Sequence, residues 1–226
     1  MRILITGAFG QLGSAVSRRL SEDFDIILTG RSIPHGKNGI ILDVLNQIYF
    51  KEVIQATGPD LVINLAAMTP VDGCELNPNL AKEINIAGVQ HLCDSFDGKI
   101  IHLSTDYVFD GTTSVPYTET TAVAPAGGYG HSKLAGEIAV AGATQRHVIL
   151  RTAWLYSAVG HNFVKTMLKL ANSGQPIRVV ADQIGSPTYA QDLARVTQSI
   201  IEALNSGRED CFGLYHVTNT CLLYPS

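Results

Sequence analysis

The sequence predicts an α/β fold, a doubly wound parallel sheet with helices on both faces. Three observations predict it. Short β-rich apolar runs alternate with stretches of helical periodicity. The runs are apolar on both faces, as strands covered from both sides must be. A glycine-spaced turn, Gly7-Ala8-Phe9-Gly10-Gln11-Leu12-Gly13, follows the first run at once.

Each element has its own signal. Residues 2–6 read as a buried strand, and 11–20 as a helix with Leu12, Val16 and Leu20 at helical spacing. Residues 25–29 form a second strand. A helix over 44–57 is stopped by Gly58-Pro59. Strands at 61–65, 99–104 and 147–151 are separated by helices at 80–95 and 132–141. Past Arg151 the rhythm loosens. Residues 162–173 read as a helix and 177–180 as a short strand. Residues 190–206 read as a helix carrying Leu193, Val196, Ile200 and Leu204 on one face. A strand-like stretch covers 213–218, and the residues from Thr220 to Ser226 form no recognisable element, so the chain is expected to be cut short or to end in a non-native tail.

Bulk composition narrows the function. A length of 226 residues suits one domain with a full core, or one domain with a small appendage. With 46% apolar and 16% charged residues, disorder is excluded. A net charge of -4 argues against a nucleic-acid partner. A phosphate site must then rest on backbone dipoles and a few cations. The longest strongly apolar run, 61–68, is interrupted by Asn64 and is far too short to span a membrane. The N-terminus carries no secretory signal pattern. The cysteines Cys74, Cys93, Cys211 and Cys221 lack ligand spacing and read as reduced thiols of a cytoplasmic protein.

The glycine turn carries the first chemistry. Gly7 allows the tight strand-to-helix turn, Gly10 lets amides approach a pyrophosphate, and Gly13 lets helix pack on strand. An anion there meets the positive end of a helix, so the motif reads as an NAD(P)-binding Rossmann cradle, with Phe9, Gln11 and Leu12 beside the cofactor. After the second strand stands Arg31, where an NAD enzyme usually has an acid. Arg31 suits a 2′-phosphate, which favours NADP(H) and leaves NAD(H) as the second choice; a solvated loop arginine is the plainer alternative. Asp43 and Val44 could contact the adenine, or Asp43 could cap the following helix.

The second chemistry follows the fourth strand, in Ser104-Thr105-Asp106-Tyr107-Val108-Phe109-Asp110-Gly111. Farther on, Tyr129 and Lys133 are spaced to share one helix face. A lysine one turn away, with a positive nicotinamide ring, would lower the tyrosine pKa from its usual ~10. Tyr129 then serves as proton donor in reduction, and Thr105 polarises the carbonyl. Each motif alone is weak, but the three in this order are specific. His131 lies off that face and reads as an exposed helix residue. Ser104 lacks a nucleophile elbow. Asp182 and Asp192 lack any metal-ligand context, so no metal is assigned.

These residues resemble the dTDP-4-dehydrorhamnose reductase family of extended short-chain dehydrogenases. The matching stretches are GAFGQLG from Gly7, NLAAMTPVD from Asn64, STDYVFDG from Ser104, YGHSKLAGE from Tyr129, RTAWLY from Arg151, NFVKT from Asn162 and DQIGSPTY from Asp182. The resemblance implies an NADP-binding Rossmann domain over 1–155. It also implies a mainly substrate-binding region over 156–226, whose helix near 190–206 packs back on the Rossmann core. It implies NADPH-dependent reduction of the 4-keto group of dTDP-6-deoxy-L-lyxo-4-hexulose to dTDP-L-rhamnose. Thr105, Tyr129 and Lys133 become the catalytic trio, with Asp106, Tyr107 and Trp154 near the sugar and Leu65, Ala66 and Ala67 flanking the cofactor. Trp154 could instead be core packing.

Two departures stand out. Family members continue well past the strand at 213–218, and residues 124–128 are glycine-richer than usual, which suits a flexible lid. Competing readings are a regulatory subunit like the beta subunit of methionine adenosyltransferase, and another nucleotide-sugar enzyme. The intact trio favours an enzyme. The absence of an Asp-Glu pair after Thr105 disfavours a dehydratase. A homodimer is compatible with the superfamily.

Overall fold

Apolar alternation along each central strand sends side chains into two separate cores. Ile3 and Ile5 of the first strand enter one core and Leu4 the other; Leu61 and Ile63 oppose Val62 in the same way, and Val148 and Leu150 oppose Ile149. Such two-sided burial is what a sheet covered on both faces requires. The structure, a computed structural model, describes residues 1–174, 177–179 and 183–220.

Among the described residues the strands are β1 (Arg2–Thr6), β2 (Asp25–Gly30), β3 (Ile40–Ile41), β4 (Leu61–Asn64), β5 (Lys99–Thr105), β6 (His147–Thr152), β7 (Leu155–Tyr156), β8 (Thr188–Tyr189) and β9 (Gly213–His216). The helices are α1 (Gln11–Leu20), α2 (Gln47–Thr57), α3 (Val71–Leu76), α4 (Pro78–Lys82), α5 (Gly88–Ser95), α6 (Gly128–Ala143), α7 (Phe163–Ala171) and α8 (Ala190–Asn205). A π-helical turn, Glu83–Ala87, joins α4 to α5.

Seven strands form one parallel sheet in the order β3-β2-β1-β4-β5-β6-β9. The chain reverses direction across the sheet between β1 and β4, and ligands bind at such a switch point, beyond the carboxyl ends of the strands. Helices α1 and α8 share one core, where Leu12, Ala15, Val16 and Leu20 meet Ala190, Leu193, Ala194, Ile201 and Leu204. Phe50, Val53 and Ile54 of α2, Val89 and Leu92 of α5 and Val140 of α6 fill the other. Each Leu, Ile, Val or Phe side chain among these contributes roughly 1.5–3 kcal/mol by leaving water.

Element boundaries moved for identifiable reasons. Helix α2 begins at Gln47, because Asn46 caps it by accepting from the Tyr49 amide at 3.1 Å. It ends where expected, on Gly58 at φ +53°. The single helix expected over 80–95 is broken into α4, the π turn and α5. Helix α6 starts at Gly128, four residues earlier than expected, and so includes Tyr129. The pairing of β7 with β8 had no sequence signal. Residues 177–179 form no strand; Val180 and Asp182 lie outside the described residues, as do Cys221 and residues 221–226. Cys74, Cys93 and Cys211 are unbridged.

Candidate active site

The phosphate cradle is built by absent side chains. Gly7 sits at φ +63°, and a Cβ on it would lie 2.8 Å from the Leu65 carbonyl carbon. A Cβ on Gly13 would lie 2.3 Å from the Gly7 oxygen, so α1 can rest on the turn only with glycine there. Gly10 is the N-cap of helix α1, which has no side-chain cap and no acid in its first turn. Its first amides are thus open to an anion and meet the helix dipole. These features fit a dinucleotide pyrophosphate.

Buried polar side chains fix the wall beside it. The Thr6 hydroxyl donates to Asn64 Oδ1 at 2.6 Å and accepts from the Leu65 and Ala66 amides at 3.2 Å each. Asn64 Nδ2 in turn donates to His102 Nδ1 at 3.0 Å. Leu65, Ala66 and Ala67 are thereby held half-buried at the end of β4. Gln11 Oε1 accepts from Asn162 Nδ2 at 2.9 Å, which ties the glycine turn to the start of α7. The Phe9 ring lies across Gly30 and Gly39, where a Cβ would come within 2.9 Å and 2.8 Å of it. Arg31 is exposed directly after β2. Asp43 does not cap α2: its Oδ1 accepts from the Leu45 amide at 3.0 Å, and the cap is Asn46 three residues on. The Val44 carbonyl is held by His91 Nδ1 at 2.9 Å.

The reactive groups meet at the end of β5 and the start of α6. Thr105 Oγ1 donates to Asp106 Oδ1 at 3.1 Å and accepts from the Tyr107 amide at 3.3 Å. Tyr129 is 9% exposed, and the Thr105 side chain is among the groups that act on the ionisation of its phenol. The Tyr107 ring meets the Tyr129 ring edge-on, centroids 5.5 Å apart. Lys133 is buried, and its Nζ donates to the Leu103 carbonyl at 2.6 Å. Burial lowers its pKa to about 8, partly opposed by Glu137. Burial also raises Asp106 to about 6.

One sequence expectation is corrected here. The Tyr129 phenol is pushed well above its ordinary value by burial, with Asp106 adding to the rise and the Thr105 side chain opposing it. Lys133 is not among the groups that shift it, and the Lys133 ammonium donates to the Leu103 carbonyl. Tyr129 therefore stays protonated at neutral pH, as a proton donor must.

Trp154 follows β6 at φ +46°, a strained backbone for a bulky residue. Its carbonyl accepts from the Thr188 amide at 3.2 Å, and its ring covers Gly185 so closely that a Cβ there would lie 2.7 Å away. His131 is exposed. Ser104 is a structural donor to Glu137, not a nucleophile. Among the described residues no three His, Cys, Asp or Glu side chains gather as a metal site, and no helix is long and apolar enough to cross a membrane.

Three contributors escaped the sequence reading. Asn85, turned inward by the π turn, accepts from the Met68 amide at 2.8 Å and donates to the Met68 carbonyl and Ser132 Oγ at 3.0 Å each. Ser132 Oγ donates to the Tyr129 carbonyl at 2.8 Å. Glu75 accepts from the Gly128 amide at 2.5 Å and so caps the helix carrying Tyr129 and Lys133. None of the three had left a sequence signal, whereas Asn64 had shown as a polar residue inside an apolar run.

Fold and site together define a doubly wound α/β protein with a dinucleotide cradle beside a Thr/Tyr/Lys cluster. The chain belongs to the RmlD substrate binding domain family, which it matches over residues 1–222. It is 41% identical over 224 residues to a dTDP-4-dehydrorhamnose reductase of Sinorhizobium fredii, covering 97% of this chain and 73% of that one. A dTDP-4-dehydrorhamnose reductase of Aggregatibacter actinomycetemcomitans is 40% identical over 220 residues, covering 96% and 73%. The crystal structure of dTDP-4-dehydrorhamnose reductase from Bacillus anthracis in complex with NADP superposes with a TM-score of 0.88 at 38% identity, over 99% of this chain and 76% of that one.

Proposed function

We propose that the protein is an NADPH-dependent reductase of the 4-keto group of a dTDP-4-dehydro-6-deoxy sugar, giving dTDP-L-rhamnose. The observation that carries the reading is the meeting of Thr105, Tyr129 and Lys133 beside an uncapped α1 N-terminus, in a chain similar to curated reductases of that name over nearly its full length. Gly7, Phe9, Gly10, Gln11, Leu12 and Gly13 would hold the pyrophosphate, Leu65, Ala66 and Ala67 the nicotinamide side, and Asp43 and Val44 the adenine. Arg31 would pair with the 2′-phosphate and select NADPH over NADH. The bound cofactor supplies a hydride.

Tyr129 gives its phenolic proton to the sugar oxygen as that oxygen gains charge. The Thr105 hydroxyl donates to the same oxygen and leaves Asp106 to do so. The Lys133 ammonium, turned from the Leu103 carbonyl, stabilises the phenolate left on Tyr129. Tyr107, Asp106 and Trp154 line the sugar side. Residues 1–155 form the cofactor domain and 156–226 contribute mainly to the substrate side, although β9 and α8 complete the sheet and core of the first. The reading places the protein in the cytoplasm, where nucleotide sugars are made, and is compatible with a homodimer.

The test is turnover of NADPH with the dTDP-linked 4-keto sugar and identification of the product. Stoichiometric dTDP-L-rhamnose supports the reading. Binding of NADPH without turnover would favour a regulatory subunit, and epimerised sugar without net NADPH consumption would favour an epimerase.

A further inference from the structure

The segment that leaves β5 at Thr105 returns as α6 at Gly128, so it carries reactive groups at both ends. Its base is closed by the Ala124 amide, which donates to the Val108 carbonyl at 3.0 Å. Its middle is held at the edge of the sheet. Phe109 is buried and stacks on Tyr117, centroids 4.2 Å apart and rings 4° from parallel. Tyr117 Oη donates to Asp110 Oδ1 at 2.7 Å. Glu119 Oε1 accepts from the His216 amide at 2.9 Å.

Two strand residues grip this segment from below. Arg151 on β6 and His216 on β9 are register partners, and Ser104 on β5 is the partner of Arg151 on the other side. In-register residues project to the same face. The Arg151 guanidinium carbon lies 5.2 Å from the Phe109 ring centre, and the His216 ring meets Phe109 edge-on at 5.6 Å. His216 Nδ1 lies 3.3 Å from the Tyr117 carbonyl. That oxygen can only accept, so Nδ1 carries the hydrogen and Nε2 is left as an acceptor. His216 Nε2 and Arg151 Nη1 are both buried with no hydrogen-bond partner among the described residues. One is an acceptor and the other a donor, on neighbouring positions of one face.

We propose that His216 is a positioning residue for the reaction: with Arg151 and Phe109 it clamps the middle of the segment 106–124, and so sets Thr105, Asp106 and Tyr107 at one end against Tyr129 at the other. The clamp rests on the reductase reading only for its effect on turnover. Neutral His216 suits it: burial, the largest influence, disfavours its protonation and Arg151 adds to that, while Glu119, the hydrogen bond to the Tyr117 carbonyl and Glu137 act the other way. The clamp sits on β6 and β9, on the other side of β5 from the glycine turn after β1 and the wall of Leu65, Ala66 and Ala67 after β4.

The test compares His216→Ala, His216→Asn and Glu119→Ala with the wild type, by steady-state kinetics, NADPH titration and amide exchange. His216→Ala should lower kcat by roughly ten- to a hundredfold, the scale of an ångström-size misplacement. It should leave NADPH affinity unchanged and speed exchange across 108–124, while β1 and β4 stay protected. His216→Asn, whose amide can replace the Nδ1 donor, should restore most of kcat and protection. Glu119 is exposed, so Glu119→Ala will fold, and it should show the same changes in smaller degree. Wild-type exchange across 108–124 in both His216→Ala and Glu119→Ala would overturn the clamp, as would a lost kcat without faster exchange there. A wild type that fails to turn over the sugar would refute the reductase reading, while the exchange comparison would still decide the clamp.

Discussion

Removing the charge of Glu137 should be among the most damaging single changes outside the site. Its Oε1 accepts from Arg151 Nε at 2.9 Å and from Ser104 Oγ, and its Oε2 accepts from Arg151 Nη2 at 2.6 Å. The two side chains are only 5% and 6% exposed. Glu137→Gln keeps the shape but turns an amide donor toward the guanidinium and leaves Arg151 as an uncompensated buried cation. Breaking such a pair costs about 3–5 kcal/mol. For a domain of this size that is a fall in Tm of roughly 6–20 °C. Thermal and urea unfolding of Glu137→Gln would read it directly. The double variant Glu137→Met/Arg151→Met removes both charges together and should regain most of the loss, because a paired buried charge is no better than good apolar packing. A Glu137→Gln variant within about 1 kcal/mol of wild type would refute the reasoning. So would a double variant as unstable as the single one.

Three further predictions concern the cradle and its neighbours. Gly13→Ala must move α1 away from the Gly7 oxygen by about 1 Å to reach ordinary contact, at a cost of about 1–3 kcal/mol; thermal unfolding should show the loss and fluorescence titration a weaker NADPH affinity. Arg31→Ala should weaken NADPH about ten- to a hundredfold by losing a charge-assisted bond of about 1.5–3 kcal/mol, and leave NADH unchanged, as competitive titration would show. Lys133 carries a folded pKa of about 8 against an ordinary 10.5. The unfolded chain therefore binds more protons between those values, so stability rises with pH across that window and the burial cost, about 3 kcal/mol, is present in full below it. Urea unfolding of wild type and Lys133→Met across that window should show the rise in the wild type only.

The sheet was legible because burial on two faces leaves an unmistakable apolar mark at residues such as Ile3, Leu4 and Ile5. The glycine turn was legible because its geometry tolerates no Cβ at Gly7 or Gly13. Short elements were not legible: β7 and β8 are two residues each and are held by tertiary contacts, among them the Thr188 amide on the Trp154 carbonyl. Asn85 was hidden because the π turn breaks the 3.6-residue period that reveals facing. The Tyr129 environment was misjudged for a related reason. Spacing places Lys133 on the same helix face, but it does not say that the ammonium turns to the Leu103 carbonyl. Asp43 lost the helix cap to Asn46, since two Asx residues three apart compete and sequence alone does not rank them.

The central claim is that Tyr129 is the proton donor in hydride reduction of the sugar. Its most direct test is a single-turnover measurement of NADPH oxidation with the dTDP-linked 4-keto sugar, comparing wild type with Tyr129→Phe at equal cofactor saturation. The account predicts a loss of about a hundredfold or more in the Tyr129→Phe rate, the usual worth of a positioned general acid, with NADPH affinity intact. A Tyr129→Phe enzyme that oxidises NADPH at the wild-type rate would contradict it.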